Sequence, residues 1–385
     1  MNFHPSNFYS SKNLKKLMAI PLVMLLIGIV LSRGIILDTS LSGGISIAFA
    51  SNTTVNVSQV THVIGAKLNI PFSLITINPG GGGFTIPANT SIANAETYLT
   101  TFFAYKTNYT TYSFNVTEMQ VQLARQPDNQ TVISQLATLS QSANASILGM
   151  ASSLGSELNA LSPIIGHVGF DNTSADNMSA VASAAYLEAS DAYKQKVTAV
   201  VSAAAPGVPY SYEEITPTLG RYFLQQVTSI IIAAFILISI AVFFIFRSPV
   251  PALMIIFDTG NDIIIALGLM GLFKIPLGLP SLGGLLMLIG YSIDTEMLTS
   301  INILKRHEGT PEDRAFSAML TGVTMTSAAI VSFGVLFAVS VVASVPTFYE
   351  ISSVALFGLI GDLFTTWFGN APMILLYKRH KERRI

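Results

Sequence analysis

Six apolar stretches, each of about 20 residues or more, constrain this chain of 385 residues more than any other feature. A helix needs roughly 20 apolar residues to cross the hydrocarbon core, and in lipid the backbone must satisfy its own hydrogen bonds, so a spanning stretch becomes a helix. The stretches run about 17–37, 222–246, 250–273, 279–303, 316–343 and 349–377. They predict an α-helical polytopic membrane protein with one large domain between the first and second spans. The composition agrees: 51% of residues are hydrophobic and 11% charged, where a soluble domain carries about 25% charged residues. The last three spans carry polar and small residues, as bundle helices do.

Position sorts the basic residues. Lys12, Lys15 and Lys16 precede the first span, and Arg247 follows the second. Lys305, Arg306 and Arg314 lie between the fourth and fifth, and Lys378, Arg379, Lys381, Arg383 and Arg384 follow the sixth. These are 12 of the 20 Lys and Arg residues, all in short segments that fall on one side. By the positive-inside rule both termini are cytoplasmic. The predicted organisation is a cytoplasmic tail 1–16, a first helix 17–37, an external domain 38–221, a five-helix remainder of the bundle 222–377 and a basic cytoplasmic tail 378–385. Arg33 sits near the outer end of the first span, where it can snorkel to the interface. Nine N-x-[ST] glycosylation patterns occur, at Asn52, Asn56, Asn89, Asn108, Asn115, Asn129, Asn144, Asn172 and Asn177, and all nine lie in the segment placed outside. An alternative reads 12–50 as a signal peptide ending at Ala48-Phe49-Ala50. The length of the apolar stretch favours a retained anchor.

Cysteine is absent and the five histidines are scattered, so disulfides, thiolate chemistry and a zinc site are not expected, and no cofactor or metal is predicted. No basic run points to nucleic acid. No nucleophile–base arrangement stands out, so catalysis is not expected.

In the external domain the β-branched Val55–Ile77 segment reads as one or two strands and Thr110–Val121 as another. Ala93–Lys106, about 131–161 and about 175–204 read as helices, giving an α+β domain. The Gly-rich run 79–83 lacks the G-K-[ST] ending of a phosphate loop and reads as a flexible loop.

Ionisable groups inside a span are costly and mark functional sites. Asp258 and Asp262 stand four residues apart on the third span and share a face, although Asp258 is near enough to the cytoplasmic end to reach the interface. Asp294 and Glu296 lie in the fourth span and point to roughly opposite faces. Asp362 is midway along the sixth. Thr321, Thr324 and Ser327 form a polar stripe on the fifth. The functional reading is a proton or ion relay, with Asp294 first and then Asp262, Asp362 and Glu296. The alternative is polar glue between helices.

These residues resemble the SecD/SecF family of protein-export membrane proteins, within the RND superfamily, and its archaeal SecF branch most. Leu37-Asp38 followed by Leu41-Ser42-Gly43-Gly44 is similar to the family's D-x-x-G-G segment. Ile215 to Gly220 resembles its V-G-P-x-x-G entry to the second span, and Arg247 its F-R-x-P turn. Asn261-Asp262 stands where the family has a His-Asp pair. Gly290 to Asp294 (GYSID) matches the G-Y-S-[IV] signature, and Arg314 with Thr321 to Thr326 resembles the start of the fifth span. Asp362 to Trp367 with Asn370-Ala371 resembles the D-L-x-x-T-W-x-x-N-A ending of archaeal members. The resemblance implies a six-helix RND-type bundle with an α+β external domain. It implies a subunit that pairs with a SecD homologue at the Sec translocation channel, in membrane lipid, and uses the proton gradient to assist export of unfolded polypeptide. Bacterial members carry an arginine near the position of Gly322, and none is present here. A SecD paralogue and an RND-type small-molecule or lipid exporter are the alternatives.

Overall fold

The computed structural model describes residues 9, 11–50, 55–170, 174–306 and 308–382. In chain order the elements are α1 (Ser11–Leu17), α2 (Ala19–Ser32), β1 (Ile36–Leu37), α3 (Thr39–Ser42), β2 (Gly44–Phe49) and α4 (Val57–Leu68). Then come β3 (Thr76–Ile77), β4 (Gly83–Pro87), α5 (Thr90–Arg125), α6 (Gln130–Ile165), α7 (Ala175–Ala204) and β5 (Tyr210–Ile215). The last part holds α8 (Pro217–Phe246), α9 (Pro249–Phe273), β6 (Pro276–Leu277), α10 (Leu279–Lys305) and α11 (Pro311–Val342), and then α12 (Pro346–Thr365), a π-helical turn (Thr366–Asn370) and α13 (Ala371–Glu382). The chain divides into two compact units. One comprises Met1–Ser42, Ile77–Thr85 and Gly220–Ile385; the other comprises Gly43–Thr76 and Ile86–Leu219.

Proline and polar caps set the helix starts in the first unit. Pro249, Pro311 and Pro346 occupy first positions, where the missing N–H costs no hydrogen bond. Thr310 and Asp313 cap α11 reciprocally: Thr310 Oγ1 accepts from the Asp313 amide at 3.2 Å, and the Asp313 carboxylate accepts from the Thr310 amide at 3.3 Å. Five helices are long and apolar enough to cross a membrane: Leu14–Ser32, Pro217–Phe246, Pro249–Phe273, Pro311–Val342 and Pro346–Glu382. The expected fourth span, α10, has 27 residues and the length to cross. It is not among the five because Asp294, Glu296 and several Ser and Gly residues dilute its hydropathy. Half of the apolar window of α9 and 61% of that in Pro346–Glu382 is buried, against 6% for α8 and 11% for α11, so α9 and α12 are inner helices while α8 and α11 expose apolar side chains. Glycines bring α2 and α9 to backbone contact. A Cβ added at Gly268 would lie 2.8 Å from the Gly28 carbonyl oxygen.

In the second unit α5 and α6, 36 residues each, are about 54 Å long at 1.5 Å per residue. They pack on each other and on α7 around Phe102, Met150, Leu154, Leu161 and Met178, all fully buried. Strands β2 and β5 pair antiparallel from Gly44↔Ile215 to Phe49↔Tyr210. Helices are found at Ala93–Lys106, 131–161 and 175–204.

Three expectations are corrected. Most of the Val55–Ile77 segment is helix α4, with only Thr76–Ile77 in a strand. Val57, Val60, Thr61 and Ile64 are its buried residues, a helical period that outweighs β-branched composition. Thr110–Val121 is the middle of α5 rather than a strand. There the threonines satisfy their own hydroxyls on carbonyls one turn back, as Thr110 does on Lys106 and Thr117 on Ser113. The Gly-rich run is a packed turn rather than a free loop. Gly80 has φ 78°, a left-handed conformation suited to glycine, and it abuts Val341 and Ser344 so closely that no side chain would fit.

The structure also accounts for three of the N-x-[ST] asparagines. Asn56, Asn89 and Asn129 are N-caps of α4, α5 and α6, each accepting backbone N–H bonds on its side-chain oxygen. Asn108 and Asn115 lie within α5, Asn144 within α6 and Asn177 in α7. Asn52 and Asn172, like Arg383 and Arg384, lie outside the described residues.

Candidate functional site

The inner helices of the first unit bring four acidic side chains together. Asp258 and Asp262 come from one face of α9, Glu296 from α10 and Asp362 from α12. Asp258, Asp262 and Glu296 are 0% exposed and Asp362 is 1% exposed. Carboxylate oxygens of Asp262, Glu296 and Asp362 lie within 4.8 Å of one another.

Hydroxyls supply most of the hydrogen bonds. Ser292 donates to Asp262 Oδ2 at 2.7 Å, and Thr365 donates to Asp262 Oδ1 at 2.5 Å. Asp362 accepts from Thr366 at 2.9 Å, from Thr295 at 3.2 Å and from Thr326 at 3.4 Å. Thr259 Oγ1 lies 3.1 Å from Glu296 Oε2. The spacings explain the convergence. Thr365 and Thr366 follow Asp362 by three and four residues and Ser292 precedes Glu296 by four, so each pair shares a helix face. The π turn begins at Thr366, directly after Asp362's own turn, and ends at Asn370, whose Nδ2 donates to the Glu296 carbonyl at 3.4 Å. Such turns recur at functional sites.

Charge is the unusual property of this cluster. The sequence holds no Lys, Arg or His within 250–273, 279–304, 315–342 or 346–377. Two like charges 4.8 Å apart repel by roughly 3 kcal/mol at an effective dielectric of 20. Three such pairs would oppose folding by about 10 kcal/mol, as much as the whole stability of many domains. The cluster therefore needs protons or a cation to be neutral. Among the described residues, both carboxyl oxygens of Asp258 and the side-chain oxygens of Asn261 and Asn370 have no hydrogen-bond partner. The oxygen-only donor set and its size fit a bound cation or exchangeable protons equally.

Of the side chains singled out from sequence, the structure joins Asp262, Glu296 and Asp362 and adds Asp258 to them. It places Asp294 on the exposed side of α10. Thr321 and Thr324 are exposed and Ser327 is half-buried, each apart from the carboxyls; Thr326 is the α11 residue that faces Asp362. Gly322 lies against the Trp367 indole with no room for a side chain. Sequence reading also passed over Glu350, buried near the start of α12, which accepts from Ser281 Oγ at 2.9 Å.

Residues 195–380 match the family model described as protein export membrane protein SecD/SecF, C-terminal. This chain carries the SecD/SecF C-terminal domain. The relatives it is similar to are archaeal SecF proteins. It is 44% identical over 169 residues to the protein-export membrane protein SecF of Methanothermobacter thermautotrophicus, covering 43% of this chain and 59% of that one. To the SecF of Pyrococcus furiosus it is 38% identical over 168 residues, 44% of this chain and 56% of the other. To that of Methanopyrus kandleri it is 37% identical over 190 residues, 49% and 66%. The chain thus spans between about half and two thirds of the length of these relatives. All four carboxyls lie inside the matched region.

Proposed function

We propose that this chain is a SecF-like subunit of the protein-export machinery. It crosses the membrane six times, with α10 as the fourth span, both termini cytoplasmic and the second unit external. It pairs with a SecD homologue and assists translocation of unfolded polypeptide through the Sec channel. The buried carboxyls, occupied by protons or a cation in turn, bias the bundle between two packings.

Similarity to archaeal SecF proteins supports the export role. The observation that carries the coupling role is the juxtaposition of Asp262, Glu296 and Asp362 across α9, α10 and α12 without a basic partner. A group shared by three helices is placed to couple its occupancy to their packing. The sorted basic residues support the orientation, and the shielding of α10 between α9 and α12 explains how a helix with two acidic residues can lie in a bundle.

Tagged protein from native membranes is expected to co-purify with a SecD homologue and Sec channel components. Recovery of neither, from membranes that contain both, would favour a stand-alone exporter. The export role and the coupling role separate cleanly: Asp362→Asn is expected to keep the partner and lose export stimulation.

A further inference from the structure

A cavity of about 320 Å³ opens where the first unit gathers its lysines. Lys305 at the end of α10 and Lys378 and Lys381 on α13 line it, with the hydroxyls of Ser248 and Tyr377. The two hydroxyls are 2.9 Å apart. Ser248 is the N-cap residue of α9 and makes no side-chain cap bond, because Pro249 and Pro251 at the start of that helix have no N–H to give it. Backbone carbonyls at neighbouring helix ends anchor two of the ammonium groups. Lys378 Nζ donates to the Leu304 carbonyl at 3.2 Å, and Lys305 Nζ donates to the Ile245 carbonyl at 3.4 Å. One acid, Glu382, also lines the cavity; it is exposed and 3.9 Å from Lys378. Three ammonium groups against one carboxylate leave the cavity cationic.

Its apolar surroundings narrow the ligand. Phe246 and Pro251 form part of the wall. Beside it in sequence, Phe244 and Ile245 on α8 and Leu253 on α9 are exposed, by 71%, 42% and 64%. A soluble anion would use the lysines and hydroxyls alone. A phospholipid would use both surfaces, headgroup in the cavity and acyl chains along the apolar side chains. Basic pockets between helix ends at a membrane surface have this form. Snorkelling of lysines to the interface accounts for their exposure but not for a cavity that also gathers a pair of hydroxyls.

We propose that this cavity binds the phosphate of an anionic membrane lipid. The lysine ammonium groups and the Ser248 and Tyr377 hydroxyls meet the phosphate oxygens. None of its lining residues belongs to the carboxyl cluster.

The test is native mass spectrometry of the full chain in neutral detergent, with phosphatidylglycerol, phosphatidylcholine and inorganic phosphate as separate probes. Phosphatidylglycerol is expected to be retained and phosphatidylcholine not. Lys381→Gln, an exposed residue with little bearing on folding, is expected to lower retention roughly fivefold, and Lys378→Gln with Lys381→Gln roughly twentyfold. Ser248→Ala with Tyr377→Phe is expected to weaken retention without lowering the melting temperature, and Lys274→Gln, at the far end of α9, to leave it unchanged. Equal retention of the two lipids, or unchanged retention in the Lys381 variant, would overturn the proposal. Displacement of the lipid by millimolar inorganic phosphate would overturn the lipid assignment in favour of a soluble-anion site.

Discussion

Asp294 and Glu296 stand two residues apart on α10, and the helix sends one outward and the other into the cluster. Replacing Glu296 by Gln or Asp262 by Asn is expected to reduce export of a signal-bearing reporter at least tenfold in cells lacking the native copy, whereas Asp294→Asn leaves it within twofold. A strong defect in the Asp294 variant alone would move the coupling group out of the cluster. In the second unit Glu157 is fully buried, and both carboxyl oxygens lack a partner among the described residues. Burial pushes its carboxyl up to about 8. It adjoins Tyr186, whose phenol is raised to about 12 by burial and by Glu96, Glu214 and Glu157. A carboxyl whose folded value lies above its unfolded one favours folding while it stays protonated. Its contribution is full below about 4.5 and is lost as pH rises toward about 8. The melting temperature should therefore fall from pH 5 to pH 8, and Glu157→Gln should flatten that slope; a wild-type curve with no slope would show that the charge finds water. Individual acids in the spans were legible in the sequence because a charge there is conspicuous. Their hydroxyl partners were not: Thr326, rather than Thr321, Thr324 or Ser327, reaches Asp362 because of how α11 is rotated, which no local pattern encodes.

At the scale of elements, the later apolar helices start and end close to where they were expected, since lipid length and proline starts define them, whereas the first, expected over 17–37, ends at Ser32 and gives way to strand β1 at Ile36–Leu37. The outer strands were misread where β-branched content competed with a helical period, as in α4. Threonine's ability to satisfy itself on its own helix lets α5 run through a stretch of alternating pattern. Helix α11 is the test of which faces await a partner. Leu320, Val331, Val335 and Val339 are exposed on it, as are Thr321 and Thr324. The chain contains no cysteine, so single Thr321→Cys and Thr324→Cys variants give unambiguous cross-links. A disulfide or maleimide bridge to a SecD homologue is the expected product. Modification by lipid-soluble reagent alone would mark this face as lipid-facing. Gly322→Ala should lower stability by about 1–3 kcal/mol, because the added methyl meets the buried Trp367 indole; thermal unfolding in detergent measures it. Asn129→Ala removes the α6 cap and should cost about 1 kcal/mol even in protein made without glycosylation.

Across the whole molecule, the two units carry unequal information. The matched region 195–380 covers the helical bundle after the first span, and its order of motifs led from sequence to family. Most of the second unit lies outside that match. Its long α5–α6 hairpin is built from local helical signals that state a shape and no ligand.

The π turn at Thr366–Asn370 has a mechanical consequence. A wide turn of this kind holds one residue more than an α-helical path would. Closing it would advance everything after it by one position, which is about 100° of rotation and 1.5 Å of travel along the axis. Tyr377 would swing away from Ser248, and Lys378 from the Leu304 carbonyl. Thr366, the first residue of the turn, is also the hydroxyl that holds Asp362 at 2.9 Å. A loss of the Thr366–Asp362 hydrogen bond that closed the turn would therefore rotate the basic end of the segment.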